Sequence, residues 1–179
     1  MTNPFEEFEL VLVDSAQGMF AAYEKACTHA GPWTPPPPAD EDLVVAAIGF
    51  AAEHTRGNLT LISARSVVKA LMPAEMGGPA DAALCDVLGE FANMLLGRLK
   101  NQLLPRGVAL MIGMPTMAIV KEIRLKPGEE SSSVWHRFVV DDGYFFMRFD
   151  ATFDEEFSFT EEMHAEHGPV GAEGEMVLF

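Results

Sequence analysis

Cysteine is scarce in this chain. Cys27 and Cys85 are the only two, and their spacing matches no metal-binding or redox motif. Both are expected as small core residues, Cys85 within a helical pattern and Cys27 near a helix end, because free cysteine is mostly buried. Basic residues are also few. Twelve Lys and Arg stand against 27 Asp and Glu, a formal net charge of −15. Such a surface repels phosphate backbones and anionic lipid, which excludes nucleic acid and membranes as partners. No run of eighteen apolar residues is present, so no transmembrane helix is expected. The start, Met-Thr-Asn-Pro-Phe-Glu-Glu, lacks the basic-then-apolar order of a secretory signal. The expected location is cytoplasmic.

What is present suits one folded domain. The chain has 179 residues and 49% hydrophobic composition, enough to build a core and too apolar for disorder. The charge is uneven: residues 154–179 hold eight acids and no Lys or Arg, leaving −7 for the rest. The expected organisation is therefore a domain over 1–153 and an acidic, loosely packed tail over 154–179. In the tail, His164 and His167 have a possible metal spacing with Glu161 nearby, but no further ligand is visible, so no metal site is assigned. His29, His54 and His136 read as isolated.

Periodicity gives a helix over 10–27, ended by Gly31-Pro32 and the run Pro35 to Pro38, a stiff connector. Leu43–Phe50 and Asn58–Ser63 read as a hairpin turning near Arg56-Gly57, and Ser63 is placed to cap a short helix to about Leu71. A long helix follows, from Pro79 and Asp81 to its stop at Pro105. Strands are expected at 108–112, 117–125, 134–140 and 144–153, with turns at Pro127-Gly128 and Asp141-Asp142-Gly143. Strands joined as hairpins without helices make an antiparallel sheet, so the fold class is α+β, one sheet with helices packed on one face. Trp33, Trp135 and the Met-rich run Leu110–Met117 are expected as packing residues.

The long helix carries the functional argument. On a wheel of about 100° per residue, Leu84, Leu88, Phe91, Leu95 and Leu99 fall on one side. Asp86, Glu90, Asn93 and Gly97 occupy about 60° of the opposite side. A polar outer face is what any surface helix shows, but two features are unusual. Gly89 and Gly97 each cost about 1 kcal/mol relative to alanine in a helix interior. Asn93 is a poor mid-helix residue whose carboxamide both donates to and accepts from water.

The segment Asp86-Val-Leu-Gly-Glu90-Phe-Ala-Asn93-Met-Leu-Leu-Gly97 resembles the signature helix of the CheC/CheX phosphatases: Glu, two residues, Asn, about twenty-two residues, then Pro. Here Pro115 follows Asn93 after twenty-one residues. Ala47-Ile-Gly-Phe-Ala-Ala-Glu53 with Gly57-Asn-Leu-Thr-Leu-Ile-Ser63 is similar to the family's hairpin. The resemblance spans about residues 10–153 and implies a CheC-like single domain of the CheX-like branch, with one site. The equivalent spacing Asp14-Ser-Ala-Gln17 has no matching proline and reads as ordinary surface. The resemblance further implies a phosphatase acting on the aspartyl phosphate of a CheY-like response regulator. Asn93 would orient the attacking water and Glu90 would pair with the regulator's lysine. Asp86, Gly97 and Pro115 would contact the partner. No cofactor of its own is implied. Mg²⁺ is expected in the partner regulator, and a homodimer is implied. The alternatives are a non-catalytic CheX-like or rotor-like module that binds a regulator, or a scaffold that recruits partners through its acidic tail.

Overall fold

The computed structural model describes residues 3–23, 25–33, 40–72, 80–126, 128, 130–141 and 143–160. Helix α1 spans Pro4–Ala22, earlier than the expected 10–27. Its start is local chemistry: the Asn3 side chain accepts from the Phe5 N–H at 3.1 Å, Pro4 opens the first turn, and Glu6 and Glu7 favour its positive end. Phe5, Phe8, Leu12, Ala16, Met19 and Phe20 form its buried stripe. Where a helix end was expected at Cys27, strand β1 begins (Cys27–Pro32). Its side chains alternate half-buried and exposed, and it pairs with a strand more than a hundred residues later, a partner no local pattern announces.

Strands β2 (Leu43–Ala52) and β3 (Thr55–Ala64) form the expected hairpin, but the turn lies at Glu53-His54. Gly57 is inside β3, because a Cβ there would overlap the Asp150 carbonyl oxygen and the Phe50 ring. Helix α2 (Arg65–Leu71) has Ala64, not Ser63, at its cap position; the Ser63 hydroxyl instead donates to the Tyr144 carbonyl at 2.8 Å. Helix α3 (Asp81–Leu103) runs into a 3₁₀ turn at Leu104–Arg106 containing Pro105. Strands β4 (Met111–Ile112), β5 (Thr116–Val120), β6 (Ser132–Val140) and β7 (Gly143–Phe153) follow.

The seven strands form one sheet in the order β1-β6-β7-β3-β2, with β4 and β5 both on the outer edge of β2. Every pairing is antiparallel. The three helices cover one face: α3 lies over β2 and β5, α1 over β1 and β7, and the two helices touch. The core between these layers joins Phe8, Leu12 and Phe20 of α1, Leu88, Phe91 and Leu95 of α3, and Ile48, Leu61, Phe145 and Phe149 of the sheet. The opposite face carries a smaller cluster of Leu43, Val45, Ile62 and Phe146, packed with Trp33 and Trp135 as expected for packing residues. There Arg148, 3% exposed, is paired with Asp150 at 2.7 Å.

Packing continues past Phe153. Phe157 and Phe159 lie on Phe8, and the Thr160 N–H donates to the Arg106 carbonyl at 2.9 Å. His54 Nδ1 lies 3.0 Å from Asp154 Oδ2, which raises the His54 pKa and lowers that of Asp154. Residues 154–160 are thus fastened to the body rather than loosely packed. The proline run 35–38, the turn residues Pro127 and Asp142, and the histidines His164 and His167 lie outside the described residues.

Candidate functional site

Packing decides which way α3 points. Phe91, 4% exposed, meets Tyr23 and Phe20 edge-on at 5.3 and 6.0 Å between centroids. Further along the same flank, the Asp14 carboxylate accepts from Gln102 Nε2 at 3.4 Å, and Arg98 passes over Gly18. These contacts set α1 against one side of α3. On the other side, buried Gly89 receives Met117 of β5: a Cβ on this glycine would stand 3.0 Å from the Met117 sulfur. Close packing of strand on helix therefore accounts for Gly89.

Between these flanks the remaining face looks outward. Asp86 and Glu90 are exposed, and Asn93 and Gly97 are half-buried. Glu90 and Asn93, one turn apart, have no side-chain hydrogen bond or ion pair among the described residues, so their donor and acceptor capacity is directed at solvent. A Cβ on Gly97 would meet no heavy atom of the described residues outside its own helix turn within 4 Å. No contact among the described residues requires this glycine, unlike Gly89. On the apolar flank, the Tyr23 hydroxyl donates weakly to Met94 Sδ at 3.1 Å, and Tyr23 remains 47% exposed.

Pro115 lies in the link between β4 and β5. Ile112 pairs with Phe50 and Thr116 with Ala47, so three residues, 113–115, stand opposite two, Ile48 and Gly49. This is a β-bulge on the sheet edge, a feature that commonly re-aims a side chain. It is pinned by the Gly113 N–H, which donates to the Gly49 carbonyl at 2.9 Å. The bulge corrects the reading of the Met-rich run as core filler. Leu110 is buried and Met117 packs on α3, but Met111 and Met114 are 70% and 89% exposed. Composition cannot separate these methionines, since an insertion of one residue reverses their facing.

Asp86, Glu90, Asn93 and Gly97 thus form the outward ridge of α3. A surface hollow of about 370 Å³ lies beside the β2–β3 turn, lined by Ala51, His54, Arg56, Thr152 and Asp154 among others, and it contains none of the ridge residues. Among the described residues no group of three or more His, Cys, Asp or Glu is placed to hold a metal ion. The histidines are not all isolated: His29 Nε2 lies 3.0 Å from His136 Nδ1, and His136 Nε2 lies 3.4 Å from the Glu9 carboxylate, joining β1, β6 and α1. Sequence reasoning missed this pair because its members lie 107 residues apart.

Comparison with known proteins places this arrangement. A search of the curated proteins finds no match. Among solved structures, the chain is similar to the chemotaxis protein CheX of Vibrio vulnificus, with TM-score 0.69, 19% identity, 81% of this chain covered and 99% of that one. It is similar to the CheX–CheY–BeF₃–Mg²⁺ complex of Borrelia burgdorferi, with TM-score 0.65, 13% identity and coverages of 81% and 97%. It is more distantly similar to the middle domain of FliM from Vibrio alginolyticus, with TM-score 0.54, 10% identity and coverages of 82% and 91%. At these identities the structures speak for the fold alone. The model of the family described as chemotaxis phosphatase CheX matches residues 44–138, a stretch that contains the whole of α3, both ridge residues and the bulge, and the chain belongs to the CheX family.

Proposed function

We propose that this protein hydrolyses the aspartyl phosphate of a CheY-like response regulator, with the α3 ridge as its working surface. The observation that carries the reading is the pair Glu90 and Asn93, one turn apart on the outer face of α3 and without side-chain partners among the described residues. Residues that serve only the fold have no need to stand this way, whereas residues that complete another protein's active site do. The reaction is attack of water on phosphorus in line with the departing aspartyl carboxylate, giving free aspartate and inorganic phosphate. Little covalent work is required, so positioning dominates. The Asn93 carboxamide accepts from the water and holds it in line, the part an amide side chain plays in small GTPases. Glu90 pairs with the regulator's active-site lysine and sets the orientation of the complex; such a pair couples strongly once water is excluded. Asp86 and Pro115 flank that contact, and Gly97 leaves room for the partner's backbone. Mg²⁺ belongs to the regulator and not to this chain. The same reading gives a cytoplasmic protein that forms a homodimer.

The test is decay of labelled phospho-regulator with wild type and Asn93→Ala at equal, saturating concentration. The expected result is a loss of turnover of about 10²-fold or more, on the scale of removing one positioned group from an active site. Affinity should be nearly unchanged, because a water-orienting group acts mainly in the transition state. Wild-type turnover in a folded Asn93→Ala protein would leave a binding module without this catalytic residue.

A further inference from the structure

We infer that Met114 is an apolar anchor for the phosphorylated receiver domain, setting the affinity of the complex and not its turnover; this rests on the phosphatase reading above. Met114 is 89% exposed, more than Leu10 or Met111 at 70% each. A single exposed apolar residue needs no explanation by itself. This one sits on a bulge that adds one residue to the β4–β5 edge opposite Ile48 and Gly49. Two constraints hold the bulge: the Gly113 N–H is bonded to the Gly49 carbonyl, and Pro115 fixes its own φ. The two backbones run so close that a Cβ on Gly113 would stand 3.3 Å from that same oxygen. The side chain is therefore presented from a backbone already ordered, which spares the entropy of ordering a loop on binding.

Its distance from the ridge is bounded. Met117, three residues on, packs against Gly89, the residue before Glu90. Three residues of chain reach at most about 11 Å, so Met114 stays within that reach of Met117, on the β5 flank of α3 and not the flank that meets Tyr23. A partner domain that seats its phosphorylated aspartate over Asn93 is wide enough to reach this flank. Thioether flexibility lets one side chain fit a shallow pocket of varying shape. Met111 supplies an internal control. Its neighbour Ile112 packs into the helix-side core, so Met111 projects from the other face of the sheet, away from α3.

The experiment compares wild type, Met114→Ser and Met111→Ser by three readings: Kd for a regulator held in its phosphorylated form by beryllofluoride and Mg²⁺, KM and kcat for phospho-regulator, and sedimentation. The inference expects Met114→Ser to raise Kd and KM about tenfold, with kcat within about twofold, an unchanged melt and unchanged mass, and Met111→Ser to change none of these. It is overturned if Met114→Ser binds as wild type does, if Met111→Ser weakens binding equally, or if only kcat falls. It is also overturned if Met114→Ser changes the oligomeric state, since a second copy of this chain would then be the occupant. A wild type that binds the regulator in a Met114-dependent way but hydrolyses nothing supports the anchor and removes the phosphatase reading. A wild type that neither binds nor hydrolyses overturns both.

Discussion

Gly97→Ala separates stability from function on a single methyl group. In a helix interior, alanine is better than glycine by about 0.8–1 kcal/mol, because glycine loses more backbone entropy on folding. At most buried sites a clash would offset that gain. Here a Cβ meets nothing within 4 Å among the described residues, so no such offset is expected. For a chain of this size, about 1 kcal/mol raises the melting temperature by roughly 2–4 °C. The proposed interface predicts the opposite sign for binding. If a partner backbone closes on Gly97, the added methyl is overpacked at a cost of about 1–3 kcal/mol, which is roughly a 5- to 150-fold loss of affinity. The assay is urea unfolding of wild type and variant, paired with titration of the beryllofluoride-activated regulator. A variant less stable than wild type would refute the outward placement of this helix face. A stabilised variant that binds and turns over as wild type does would refute the contact at Gly97.

Phe91→Ala should lose about 3–5 kcal/mol of stability, since a ring 4% exposed and packed on Phe20 and Tyr23 leaves a cavity; an unchanged unfolding midpoint would show that α3 is rotated from the orientation described. Gly57→Ala should cost about 1–3 kcal/mol or more, read by the same denaturation, because one of the groups its Cβ would overlap is the backbone carbonyl of Asp150, which cannot move without parting β3 from β7. Stability should fall as pH drops from about 6.5 to about 4. Burial, with the neighbouring His29 ring as a lesser cause, holds His136 down to about 4, so across that window the unfolded chain takes up a proton that the native state refuses. Glu9, pushed up by its own burial, acts in the opposite sense just above its usual value. The quantity to read is therefore the difference between wild type and His136→Gln, whose melting temperature should depend less on pH; equal slopes would show that His136 does not titrate in this way.

The sequence by itself determined the elements whose cause is local. Apolar periodicity over Leu84–Leu99 marked α3 and the side it buries, and so placed Glu90 and Asn93 outward before any partner was known. The α+β class followed from hairpin-spaced strands after Pro105. Long-range packing decided the rest. Strand β1 exists because β6 is there to pair with it, and the His29–His136 contact exists only through that pairing. The wheel put Gly97 on the outer face and left Gly89 unexplained; only the packed sheet shows that Met117 fills the space beside Gly89, whereas no described residue comes within 4 Å of a Cβ on Gly97. The tail read as acidic and loosely packed with scattered apolar residues, but Phe157 and Phe159 find an aromatic surface on Phe8 that only the assembled sheet and α1 provide. The bulge at 113–115 depends on the register of two strands against β2, a quantity with no local signature, and it alone turned Met114 from a core candidate into an exposed one. Periodicity fixes which face of an element is apolar, while the neighbours that cover it, and those that leave it open, are chosen by contacts between residues distant in the chain.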